Sequence, residues 1–218
     1  VKNISRSVVW VSVFAITFAF VEASVVVYLR ALYYPEGFEF PLRLVSMSHL
    51  QIELTREVAT LGMLVSVAAL AGRMWWEQFG YFLIAFGVWD IFYYVWLKVA
   101  IDWPAAITDW DVLFLIPLPW IGPVVAPVII SAAMIACGAL LLKRLHDGKH
   151  FRPRLVSWSF SIIATALILY SFTNDLPATL QGASPQLYRY SLLVAGVLLY
   201  LTSFWFACLQ PSQKPRAD

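Results

Sequence analysis

Six apolar runs, each about as long as a bilayer is thick, constrain this chain more than any other feature. A helix rises 1.5 Å per residue, so roughly 20 apolar residues cross about 30 Å of hydrocarbon. The runs fall at about residues 7–32, 50–72, 79–100, 120–142, 155–172 and 187–209. Only 13% of the 218 residues are charged and 61% are hydrophobic, whereas a water-soluble domain carries roughly 25% charge. A surface so poor in charge stays solvated only where lipid covers it. The expected fold is therefore all-α, a polytopic bundle of about six transmembrane helices forming one domain over residues 1–218. The first run is too long for the apolar core of a signal peptide and lacks a small-residue cleavage site, so it reads as a span.

Basic residues orient the bundle. With the N-terminus inside, Lys2, Arg6, Arg73, Lys143, Arg144, Lys149, Arg152, Arg154, Lys214 and Arg216 are cytoplasmic, ten of the fifteen Lys and Arg. The block KRLHDGKHFRPR at residues 143–154 decides this, because the inverted protein has to translocate it. The expectation is a multi-pass protein of the cell (inner) membrane with both termini cytoplasmic. A net charge of +2, with no basic stripe outside the short cytoplasmic segments, argues against a nucleic-acid partner. Cys137 and Cys208 lie in apolar runs without a CxxC or metal spacing and read as small hydrophobes. His146 and His150, among basic neighbours, read as solvated loop residues.

The fourth run is too long for one span. Residues 112–142 number 31, about 46 Å if helical throughout. Its first part holds Pro117, Pro119, Pro123 and Pro127, and proline removes a donor and breaks the helical ladder. The pattern predicts a Pro-rich re-entrant or interfacial segment near 112–119, with the fourth span after it. Irregular backbone at membrane depth survives where protein or a wet cavity satisfies it. Asp111, ahead of the segment, reads as a helix N-cap, and Asn174-Asp175 as a turn.

Ten of the thirteen acidic residues fall on the outer side of the N-in arrangement. Glu22, Glu57 and Asp90 lie seven or eight residues below the expected boundary on three consecutive helices, which puts them roughly 10–12 Å inside it. A charge in hydrocarbon costs at least about 2.5–3.5 kcal/mol, so these groups are expected to face the bundle interior. His49, Glu53 and Glu57 recur every four residues, with Arg56 beside them; Asp90, Tyr94 and Lys98 form a second such stripe.

Two readings of the cluster stand side by side. In one, Glu22, Glu53, Glu57 and Asp90 are neutralised by Arg30, Arg56 and Lys98 as interhelical ion pairs. In the other they form a site. As a metal site, Glu22, His49, Glu53, Glu57 and Asp90 offer ligands for a divalent metal ion such as Mg²⁺, Mn²⁺ or iron, although the Glu-x-x-His of dimetal bundles is missing. As a catalytic site, Glu57 and Asp90 supply acid and base while Arg56 and Lys98, with Arg30, neutralise an anionic group. Tyr28, Tyr33, Tyr34, Tyr93 and Trp103 gather near the same boundary, as an aromatic belt or as the wall of a ligand pocket. Ala15, Ala19 and Ala23 give a small-residue face for close packing, within the chain or against other membrane subunits.

The functional expectations are a small membrane-embedded enzyme acting on a lipid-like or small apolar substrate, a ligand-capture or transport component, or a non-catalytic subunit of a larger complex. Six spans in about 200 residues with an outward pocket resemble, in architecture, the substrate-binding subunits of energy-coupling-factor transporters. That resemblance implies ligand capture.

Overall fold

The structure, a computed structural model, describes residues 4–40, 42 and 46–209. Lys2, Arg43, Lys214, Arg216 and Asp218, which enter the charge reading, lie outside the described residues. Along the chain come α1 (Ile4–Tyr33), α2 (Met47–Ala71), α3 (Trp75–Ile101), β1 (Trp110–Phe114), β2 (Trp120–Pro123), α4 (Val125–His146), α5 (Leu155–Thr173), the short α6 (Leu176–Leu180) and α7 (Tyr190–Cys208). Among the described residues six helices, all but α6, are long and apolar enough to cross a membrane. The helical bundle expected from the sequence is what forms.

Local chemistry sets the ends. Ser46 caps α2, its hydroxyl accepting from the His49 amide, which satisfies one of the first orphan donors. α3 stops at Asp102, a left-handed residue with φ 52°, a conformation an Asp side chain tolerates better than most. α4 starts at Val125, so Pro127 sits in its first turn, where no helical partner awaits its missing N–H. That placement moves the start of the fourth span past the expected position near residue 120.

The Pro-rich segment is a β-hairpin. β1 and β2 pair antiparallel, with Asp111 opposite Gly122, Val112 opposite Ile121, and an irregularity between Val112 and Phe114. The prolines fall where a hairpin tolerates them: Pro117 and Pro119 in the connecting loop, Pro123 at the end of β2. Asp111 is consequently a strand residue and not a helix N-cap. The hairpin is tied in on both sides. The Trp120 ring stacks on Phe172 of α5 at 6.0 Å, and the Val124 and Val125 amides donate to the carbonyls of Asp109 and Ile107.

Helix α3 is the centre of the larger unit, packed by α1, α2 and α4. Against α4 the approach is close: a Cβ on Gly138 would stand 2.7 Å from the Gly80 carbonyl, and one on Gly87 2.5 Å from that of Ser131. Small residues let the two backbones meet, as is common between membrane helices. Against α1, Ala15 and Ala19 are fully buried beside Tyr81, Ile84, Ala85 and Trp89, and Ala23 is buried next to Tyr94 and Leu97. The small-residue face of α1 is thus used for packing inside the chain. The Trp96 indole adds a hydrogen bond to the Ile16 carbonyl. Helices α5 and α7 form a second pair, which meets the rest through α4 and β2.

Candidate functional site

Chain direction brings the C-terminal ends of α1 and α3, the N-terminal end of α2 and the hairpin to one end of the bundle. Between them lies a partly open cavity of about 230 Å³. Glu22, Glu53, Arg56, Glu57 and Asp90 all line it, joined by Arg30, Asp111 and Thr60. The sequence places Glu22, Glu57 and Asp90 at a common depth, and the helices turn all of the first five inward together.

Their contacts fall into three groups. Arg56 bridges two helices: it pairs with Glu22 of α1, and its Nε and Nη2 donate to Glu53 Oε2 at 3.0 and 2.8 Å. Thr60 donates to the other Glu22 oxygen at 2.9 Å. Arg30, one-tenth exposed, donates through Nη2 to Asp111 Oδ1 at 3.0 Å; its guanidinium also lies over the Trp103 and Phe38 rings, 3.7 and 4.5 Å from their centroids. Such faces attract a cation. Glu57 and Asp90 differ from these, because the donors they meet are neutral. Both Glu57 oxygens accept from the Leu115 amide at 2.9 and 3.0 Å, and Asp90 accepts from the Ser131 hydroxyl at 2.8 Å.

The hairpin therefore has two polar anchors, Asp111 on α1 and the Leu115 amide on α2. The second satisfies a backbone donor just past the paired part of β1, where an unpartnered N–H in an apolar setting costs several kcal/mol.

Two expected members stand elsewhere. Lys98 is half-exposed and turns toward the end of its own helix, 2.7 Å from Asp102 Oδ1 and donating to the Pro104 carbonyl at 3.0 Å. Eight residues beyond Asp90 an α-helix has drifted about 80° in azimuth, enough to take Lys98 off the cavity wall. His49 is exposed and shares a hydrogen bond with the Tyr33 hydroxyl, one turn outside the Glu53–Glu57 stripe. Asp111, Thr60, Ser131 and the Leu115 amide are site members that the sequence reading missed. For Asp111 the sequence carries little signal: it is the only polar residue in Trp110–Phe114, so no period-two alternation marks the strand.

The charge count shifts accordingly. The wall carries five carboxylates, Glu22, Glu53, Glu57, Asp90 and Asp111, against the two guanidiniums of Arg30 and Arg56. Pure ion pairing needs near balance; here three carboxylates exceed the cations, and such a surplus needs protons or a cationic ligand. Among the described residues no group of three or more His, Cys, Asp and Glu side chains stands close enough together to hold a metal ion. Arg30 Nη1, Asp111 Oδ2 and Trp89 Nε1 are buried with no hydrogen-bond partner, and all three residues line the cavity. Buried polar atoms are nearly always satisfied, so these three mark where a ligand or ordered water is expected. The aromatic wall is real too: Tyr33, Tyr34, Phe38, Trp89, Tyr93 and Tyr94 line the same space, while Tyr28 is 74% exposed. Asn174 and Asp175 are occupied in a turn, Asn174 donating to Asp175 and Asp175 accepting from the Gln186 amide. No protein-family model, curated protein or solved structure matches the chain.

Proposed function

We propose that this membrane protein is a ligand-capture component of the cell inner membrane, its cavity opening to the extracytoplasmic side. The observation that carries the reading is the cavity itself: a polar, aromatic-walled space at one end of an apolar bundle, with orphaned donors and an orphaned acceptor in its wall. Intramembrane charges are expensive and mark sites. The orientation rests on the basic block at residues 143–154, which follows α4 and so belongs to the opposite end.

A second reading is a membrane-embedded enzyme acting on a small or lipid-like substrate. Glu57 and Asp90 favour it, since both line the cavity and the hydrogen bonds they accept come from neutral donors. In that reading they exchange protons with the substrate.

Access is the decisive test. With Cys137 and Cys208 replaced by Ala, a Val26→Cys variant carries its thiol on the cavity wall. A membrane-impermeant maleimide added outside intact cells is expected to label it, and a thiol placed at Lys149 is expected to react only after the membrane is opened. Labelling with the reverse sidedness, or none at Val26→Cys in either preparation, ends the capture reading. Turnover of a candidate substrate that is lost in both Glu57→Gln and Asp90→Asn supports the enzyme instead.

A further inference from the structure

Resting on the capture reading, we infer that the cavity takes a small organic cation bearing an oxygen acceptor, of the amino-alcohol class. The wall's excess of three carboxylates over guanidiniums asks for positive charge. Both guanidiniums already face carboxylates, Arg56 those of Glu22 and Glu53 and Arg30 that of Asp111, so an anionic ligand meets a wall whose net charge repels it. A bare divalent ion needs several oxygens converging on one point, and among the described residues no three acidic or His side chains do so. An organic cation needs less convergence. Its charge is spread over C–H groups, which suit aromatic faces as well as carboxylates, and the wall offers both.

The unpartnered atoms supply the finer specification. Asp111, 3% exposed, presents Oδ2 with no hydrogen bond of normal geometry, although the Tyr94 hydroxyl stands near the carboxylate, and Arg30 and Trp89 present Nη1 and Nε1 as donors without an acceptor. One ligand answers both needs when an ammonium and an oxygen are a short chain apart: the ammonium approaches Asp111, and the oxygen accepts from Arg30 or Trp89. A partly open cavity of about 230 Å³ suits a small ligand. A free amino alcohol and the headgroup of an aminophospholipid share this chemistry. The test separates them.

Purified protein in nanodiscs of phosphatidylglycerol, which carries no amine, is titrated with ethanolamine and with choline. Readouts are calorimetry and protection of Val26→Cys from maleimide. Saturable binding is expected, at least about tenfold tighter than for tetramethylammonium, which lacks the oxygen, and for glycerol, which lacks the charge. Asp111→Asn is expected to weaken binding at least about tenfold; should that variant fail to fold, Glu57→Gln serves, with a smaller loss in the same direction. Protection without added ligand once phosphatidylethanolamine is included identifies the headgroup as the source. Glycerol binding as tightly as choline overturns the charge argument, and tetramethylammonium doing so overturns the role of the oxygen. If Val26→Cys is labelled from outside but neither amino alcohol binds in either lipid, the ligand class is wrong and the capture reading survives. If Val26→Cys is not labelled at all, the capture reading fails with it.

Discussion

Two parts of this bundle bury polar side chains by different means. Around the cavity, α1, α2 and the hairpin are joined through charges: Arg56 to Glu22 and Glu53, Arg30 to Asp111, Glu57 to the Leu115 amide. Between α5 and the segment from Tyr188 through α7 the polar contacts are neutral hydroxyls. Ser203 donates to the Ser157 carbonyl at 2.8 Å and shares a 2.9 Å bond with Ser161, and Ser171 meets the Tyr188 hydroxyl at 2.8 Å. Hydroxyls and small residues suffice to pack two membrane helices. The charges around the cavity therefore exceed what packing requires, and a bilayer makes such excess costly.

Removing one member of a buried charge pair should give the largest effect. Arg30→Met strands Asp111 and is expected to destabilise the protein by about 3–5 kcal/mol; Arg30→Met with Asp111→Leu, which removes both charges, should restore most of that loss or all of it. Unfolding of both variants in detergent checks this. An equal loss in the single and double variants means the pair acts through shape, and the contrast between the two regions collapses. The second effect belongs to α5 and α7. A Cβ on Gly196 would stand 2.5 Å from Ile168 Cγ1 and 3.2 Å from the Ala164 carbonyl, so Gly196→Val should cost about 1–3 kcal/mol by overpacking while leaving the charged cavity untouched. A change in cavity labelling at Val26→Cys in that background would show the regions to be coupled.

A third measurement sets the scale of a neutral contact. Ser203→Ala deletes both of its hydrogen bonds and should cost about 1 kcal/mol, each polar contact between membrane helices being worth about 0.6 kcal/mol on average. A cost near that of Arg30→Met removes the distinction between the two kinds of burial.

How much of this the sequence reveals depends on the length scale of the signal. Twenty-residue apolar runs are long signals, and all six spanning helices are legible from them. The depth of Glu22, Glu57 and Asp90 is legible for the same reason, since rise per residue accumulates predictably along a helix. Azimuth does not: it drifts with each four-residue step, and this is how Lys98 leaves the wall that Asp90 and Tyr94 share. The hairpin is hidden by the apolar run it sits in. Val112 to Ile116 continue smoothly toward the fourth span, and the prolines announce a break without saying what replaces the helix. Glu57's partner could not be read at all, because a backbone amide leaves no mark in a sequence. Asp111 was misplaced because Asp109-Trp110-Asp111 before an apolar stretch looks like a helix start. In fact Asp109 closes a turn behind it, accepting from the Ala105 and Ala106 amides, while Asp111 crosses to Arg30 of α1.

The smallest effect concerns the charge that left the site. Asp102 is exposed, and its hydrogen bond to Lys98, together with the Lys98 charge, holds its carboxyl below the ordinary value. With the folded value depressed, the unfolded chain binds the proton first as the pH falls. The contribution of the pair is thus complete above about pH 4, the ordinary carboxyl range, and disappears as the pH drops through the lowered value. Asn tolerates the left-handed backbone at this position as Asp does, so Asp102→Asn isolates the charge. The melting temperature of the wild type should exceed that of Asp102→Asn slightly at neutral pH, and the gap should close in acid and shrink in high salt, which screens exposed pairs. A gap that persists in acid assigns the effect to the turn and not to the pair. Lys98 would then be held by the Asp102 and Pro104 carbonyls, to which it also donates, and its exclusion from the cavity would follow from helix-end geometry alone.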